Sequence, residues 1–143
     1  MIQWSDGLRL GYGPMDDTHE EFVQLIADCQ GAADGELVEL LAQLERHTQE
    51  HFQEEDRWMA ETNFPPRECH MEQHEAVLKS IREVRALLEQ GDRTVARSLV
   101  DALADWFPNH ATHLDSALAH WMFKRRYGGK PVVIHRVQRA VQI

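Results

Sequence analysis

From Asp17 to Tyr127 apolar residues recur three and four apart, and only short breaks near residues 34, 64 and 92 interrupt them. That period belongs to helices with one buried face. The first helix is predicted to start after Asp16 or Asp17, with Asp17-Thr18-His19-Glu20 as a capping box. It presents Phe22, Val23, Leu25, Ile26 and Cys29, and Gly31 and Gly35 mark its end. The second runs from about Glu36 to Glu61, with Leu37, Leu40, Leu41, Leu44, Trp58 and Met59 sharing a stripe with His47, His51 and Glu55. Asn63-Phe64-Pro65-Pro66 breaks it, and Pro66 suits the first turn of the third helix. That helix extends to Gln90, buries Val77, Leu78, Ile81, Val84, Leu87 and Leu88, and stops at Gly91. The fourth spans about Thr94 to Tyr127 and stops at Gly128-Gly129. Loops of a few residues between long helices make neighbours antiparallel, so the expected fold is all-α, an up-down-up-down four-helix bundle. Trp4, Leu8, Leu10 and Tyr12 mark an N-terminal arm packed across it. The expected division is one domain over residues 1–128 and a basic C-terminal extension over 129–143.

A length of 143 residues supports one core and hardly two. The charge is uneven: residues 124–143 carry six Lys/Arg and no acid, leaving nine basic and 24 acidic residues before them. An acidic body repels phosphates and anionic membrane surfaces, so neither nucleic acid nor a membrane is an expected partner. The basic extension is free to dock on that body, on its own chain or on a neighbour, in a monomer or a weak homo-oligomer. No run approaches the ~18 apolar residues of a membrane span. Residues 1–6 lack the basic and apolar regions of a secretion signal, and two cysteines make no disulfide framework. Both point to the cytoplasm.

Nine histidines stand out. Residues four apart on a helix differ by ~40° around the axis and ~6 Å along it, so their side chains can converge. His47/His51, His51/Glu55 and His70/His74 are such pairs, and His19, His110, His113 and Asp115 add further donors. The pairs also match in depth. Measured from the chain reversals, His19, His51/Glu55, His70/His74 and His110/Asp115 differ by at most four residues, or ~6 Å of helical rise. Burying these groups without a counter-charge is costly, and a metal centre removes the objection. Mixed imidazole and carboxylate donors at two per helix suit a pair of ions, most naturally iron. His110 and Asp115, five apart, lie ~140° apart on a regular helix. Pro108 deprives the Ala104 carbonyl of its partner, so a kink or π-like turn within residues 104–115 is predicted to bring both inward.

Over residues 4–115 the sequence resembles the hemerythrin family, in particular single-domain bacterial hemerythrins. The matching pieces are Trp4, Met15-Asp16-Asp17-Thr18-His19, His51-Phe52-Gln53-Glu54-Glu55 with Met59, Phe64-Pro65 leading to His70 and His74, and Trp106-Phe107-Pro108-Asn109-His110 with Asp115. The resemblance implies a non-haem di-iron centre that binds dioxygen reversibly and is not an enzyme. His70, His74 and His110 would hold one iron and His19 and His51 the other. Glu55, Asp115 and an oxo or hydroxo group would bridge them. The position left vacant on the His19/His51 iron would take dioxygen, within walls formed by Phe22, Phe52, Trp106, Phe107, Ala111 and Leu114.

The chain departs from the family at Thr18, where Gln is usual, at Ala111, where a larger aliphatic is common, and at Pro108. A smaller Ala111 implies a roomier, wetter pocket and motivates a second reading, a peroxidase or nitric-oxide-handling enzyme on the same centre. Iron storage is a third, although the Glu-x-x-His pairs of ferritin-like sites are missing. Outside the cluster, His47 reads as a surface or supporting residue, and His113, His120 and His135 as solvated. Cys69 reads as a buried structural thiol, and Asp16 as a helix cap.

Overall fold

The computed structural model describes residues 1–128; the expectation for the basic extension, His135 included, lies outside them. A short 3-10 turn at Asp6–Leu8 precedes four helical rods. These are α1 (Gly13–Gln30), α2 (Asp34–Glu61), α3 (Arg67–Glu89) and a fourth rod built of α4 (Arg93–His110), a π turn (Ala111–Asp115) and α5 (Ser116–Tyr127). The rods pack as an antiparallel bundle, α1 against α2 and α4, and α3 against α2 and α4.

The breaks fall where the backbone demands them. Gly91 closes α3 with φ +100°, a conformation that side chains with a Cβ resist. The Asp92 carboxylate then caps α4 by accepting from the Val95 N–H at 3.0 Å. Asn63 turns the chain after α2 at φ 54°, and two prolines launch α3. Leu37, Leu41, Leu44, Ile81, Val100 and Phe107 are buried as their period predicts, whereas Leu87 is 41% exposed and Val77 and Leu78 are only half-buried. The buried stripe of the third helix is therefore narrower than expected.

The start of α1 differs more. The helix begins at Gly13, four residues before the expected capping box, and Gly35 lies inside α2. Asp16 is therefore a helical residue. Its carboxylate accepts from the Leu10 N–H at 2.7 Å and the Gly11 N–H at 2.9 Å. It clamps the arm to the bundle, which sequence-local capping rules cannot anticipate. Tyr12, 1% exposed, anchors the same arm edge-on against Trp58, and Arg126 donates to its hydroxyl at 3.1 Å.

Two apolar cores result. One joins Phe22–Cys29, Leu37–Leu44, Ile81–Leu88 and Ala96–Ala111; the other joins Tyr12, Met15, Trp58, Met59, Phe64, Leu118 and Met122. Between them, at one level of the bundle, lie the buried polar side chains.

Candidate metal centre

Every rod contributes to this polar layer: His19 from α1, His51 and Glu55 from α2, His70 and His74 from α3, and His110 and Asp115 from the broken fourth rod. All seven side chains are at most 4% exposed. The predicted distortion is a π turn at Ala111–Asp115, just after Pro108. Its wider spiral restores alignment between residues five apart, and His110 Nε2 comes within 3.2 Å of Asp115 Oδ1. Carbonyls loosened there are served by side chains: the Thr112 hydroxyl donates to Pro108 O at 2.7 Å and the His113 Nδ1–H to Asn109 O at 2.8 Å.

The carboxylates divide their oxygens between two histidine sets. Glu55 Oε2 faces His51 Nε2 at 2.8 Å and His19 Nε2 at 3.2 Å, while Oε1 faces His74 Nε2 at 3.3 Å and His70 Nε2 at 3.4 Å. Asp115 does the same, with Oδ2 3.2 Å from His19 Nε2 and Oδ1 2.8 Å from His70 Nε2. His19 and His51 thus form one set, and His70, His74 and His110 the other.

The residues fit a bound metal cation on a direct test. Glu55 Oε1, both Asp115 oxygens and the Nε2 atoms of His70, His74 and His110 are buried without a hydrogen-bond partner. Each such atom costs about 1–3 kcal/mol unless something coordinates it. Imidazole and carboxylate are suitable donors for divalent first-row metals.

Charge follows the same logic. Burial pushes the His19 imidazole down, but the adjacent Asp115 and Glu55 carboxylates outweigh it and carry the ring up to about 10. The same balance takes His70 up to about 9 and raises His74, with Asp56 contributing. At His110 burial dominates and the shift is downward. Burial opposes ionisation of Glu55 and Asp115, yet the surrounding imidazoles hold both well below the usual carboxylate range. In the metal-free chain, then, protons occupy a layer built for positive charge. Raised imidazoles stabilise the fold fully below their unfolded value of 6.5 and lose that contribution as pH rises through 9 and 10. The melting temperature of the metal-free protein is expected to fall by roughly 5–10 °C between pH 6.5 and 10, a slope absent from the loaded protein. A flat or rising metal-free profile contradicts the assignment.

Two supporting residues escaped the sequence reading. Asp56 Oδ1 accepts from His74 Nδ1–H at 2.8 Å, and Gln73 Oε1 accepts from His110 Nδ1–H at 2.9 Å. Each fixes a ring so that Nε2 faces inward. Their adjacency to Glu55 and His74 was the available signal, but each sits off its ligand stripe and serves a histidine on another rod. Asp56→Ala is expected to weaken metal affinity 10–100-fold with the helical content unchanged, and Asp56→Asn, which keeps an acceptor, to recover most of it. Competition titration against a chromophoric chelator measures both.

The predicted pocket walls are unequal. Phe22, Phe52, Phe107 and Ala111 are buried, with Phe52 stacked on His74 at 3.9 Å and Phe107 edge-on to His19 at 5.1 Å. Trp106 is half-buried but stacks on His110 at 4.3 Å, and Leu114 is half-buried. A cavity of about 190 Å³ reaches His51 and Glu55 beside Thr18. Thr18 lines this cavity, whereas Ala111 is fully buried in the apolar core and is not part of its lining.

His47 lies a turn from the cluster, stacked on Phe22; burial and its charged neighbours lower it to about 4. His113 and His120 are exposed as expected. Cys69 is also exposed, not buried, because it sits in the opening turn of α3 on the face away from His70.

A family model of the hemerythrin HHE cation binding domain matches residues 10–121. The chain is 37% identical over 125 residues to a bacteriohemerythrin of Ralstonia nicotianae, covering 87% of this chain and 91% of that one. It is 33% identical over 113 residues to a myohemerythrin of Riftia pachyptila, covering 78% and 86%. A bacteriohemerythrin of Stenotrophomonas maltophilia is 26% identical over 126 residues, covering 83% and 80%. A cation-binding domain model spanning most of the bundle, and relatives aligned over nearly their whole length, agree with the buried layer: the chain belongs to the hemerythrin family.

Proposed function

We propose that this protein binds dioxygen reversibly at two iron ions held by His19, His51, Glu55, His70, His74, His110 and Asp115. The observation that carries the reading is the division of each carboxylate between two histidine sets, the arrangement a bridged pair requires. When bound, a ferrous pair supplies a Lewis-acidic position for dioxygen and two electrons that it lends and recovers.

The protein's own residues account for the rest. His70, His74 and His110 with one oxygen from each carboxylate make five donors, whereas His19 and His51 with the other two oxygens make four. The second set is one donor short, and the gap is the natural place for an exogenous ligand. Phe22, Phe52 and Phe107 line the apolar side of the layer and keep water from it. Among the described residues no other acid stands within the layer to deliver protons, which favours reversible binding over reduction. Asp56 and Gln73 hold His74 and His110 in position.

The experiment is an anaerobic titration of the iron(II)-loaded protein with dioxygen, followed optically. An absorption that grows with dioxygen and disappears under vacuum supports binding. Continuous dioxygen consumption supports the enzyme reading instead. A cytoplasmic site of action accords with the two free thiols, Cys29 and Cys69, and no helix among the described residues is long and apolar enough to cross a membrane. The working division remains a bundle over residues 1–128 with residues 129–143 appended.

A further inference from the structure

A buried ion pair needs an entrance, and the openings over the polar layer differ in charge. The cavity between α1 and α2, about 190 Å³, is lined by Thr18, Glu21, His47, Glu50 and Glu54, with no lysine or arginine among its lining residues. Arg57 lies 3.8 Å from Glu54 and is not among the lining residues. At its inner end stand His51 and Glu55, 4% and 1% exposed, and the buried Nδ1 of His51 has no hydrogen-bond partner. His47 stands on the way, its Nε2 3.9 Å from Glu21 Oε2 and its Nδ1 unpartnered.

The opening between α2 and α3 is larger, about 620 Å³, yet Lys79 and Arg82 offset Asp56, Glu75 and Glu83 there. The layer histidine it reaches, His74, has its outer nitrogen engaged by Asp56. A third opening, over Leu99, Leu103 and Trp106, contains no carboxylate.

We propose that the acidic cavity between α1 and α2 is the route by which divalent cations enter the buried layer, with Glu21, Glu50 and Glu54 collecting the ion and His47 handing it to His51 and Glu55. The proposal rests on the metal-centre reading. Converging carboxylates in a cleft with low-dielectric walls concentrate cations and raise their arrival rate 10-fold or more. A transit site must also be weak, and His47 with Glu21, their donor atoms 3.9 Å apart, offers fewer donors than the buried layer does. The carboxylates at the mouth equally oppose the entry of anions.

The test is stopped-flow uptake of cobalt(II) chloride by the full-length metal-free protein at low ionic strength, read by cobalt absorption. The triple variant Glu21→Gln, Glu50→Gln, Glu54→Gln is expected to load about tenfold more slowly, to the same final occupancy and spectrum, and to lose most of the salt dependence of the rate. A matched triple on α3, Glu72→Gln, Glu75→Gln, Glu83→Gln, removes the same charge elsewhere and is expected to load at the wild-type rate. Equal slowing by both triples means diffuse attraction and overturns the route. Slowing by the α3 triple alone moves the entrance to that side and also overturns it. A lower final occupancy in the first triple makes these carboxylates part of the binding site, again against transit. Failure of the wild type to take up cobalt defeats the metal-centre reading, and the route falls with it.

Discussion

Replacing Glu55 with Gln is expected to reduce iron content after reconstitution from the proposed two per chain to one or fewer, with the helical spectrum retained. Glu55 is 1% exposed, and its two oxygens face four imidazoles from three rods at 2.8–3.4 Å. Gln preserves shape but removes the charge and turns one acceptor into a donor aimed at Nε2 atoms. The Asp115 carboxylate alone then opposes two cations and five imidazoles. Removing one partner from a buried ionic group costs about 3–5 kcal/mol, so the loss is far larger than an exposed substitution produces. Glu39→Gln is the control: its carboxylate lies on the same helix but is 72% exposed and off the layer, and full iron content is expected. Elemental analysis beside circular dichroism reads both. Normal iron content in Glu55→Gln would refute the bridging role.

Phe107→Ala is expected to destabilise the metal-free protein by about 3–5 kcal/mol, lowering its melting temperature by roughly 10–15 °C. Phe107 is fully buried, packs edge-on against Phe22 at 5.2 Å and His19 at 5.1 Å, and joins the larger apolar core to the polar layer. Its removal leaves a void flanked by rigid rods that cannot collapse into it. Phe107→Leu fills most of that space and is expected to recover more than half the loss. Urea denaturation of the three proteins measures the series. A change below about 1 kcal/mol would show that the rods do relax.

Much of this was legible because helices are local. The 3.6-residue period placed Leu37, Leu41, Leu44 and Ile81 in the core before any rod was packed, and the four-residue spacing put His51 beside Glu55 and His70 beside His74. Even the π turn was readable, since Pro108 breaks a local hydrogen bond and the spacing of His110 and Asp115 needs one extra residue per turn. Depth matching works for the same reason: helical rise is constant, so counting residues from each reversal measures distance.

Other features depend on which surfaces meet. Asp16 became the clamp of the N-terminal arm rather than a helix cap because its partners, the Leu10 and Gly11 N–H groups, arrive only when the arm folds back. Leu87 stayed exposed and Cys69 faced outward, which the period of a single helix does not decide. Asp56 and Gln73 escaped as supports, their adjacency to Glu55 and His74 being the one cue, for their histidines lie 18 and 37 residues away. The sequence alone determined four rods and seven inward donors, because period and rise are properties of one helix. Only the tertiary structure decided that each carboxylate faces two histidine sets, which atoms lack partners and where the layer opens to solvent, because these depend on the angles and gaps between rods, which no single helix encodes.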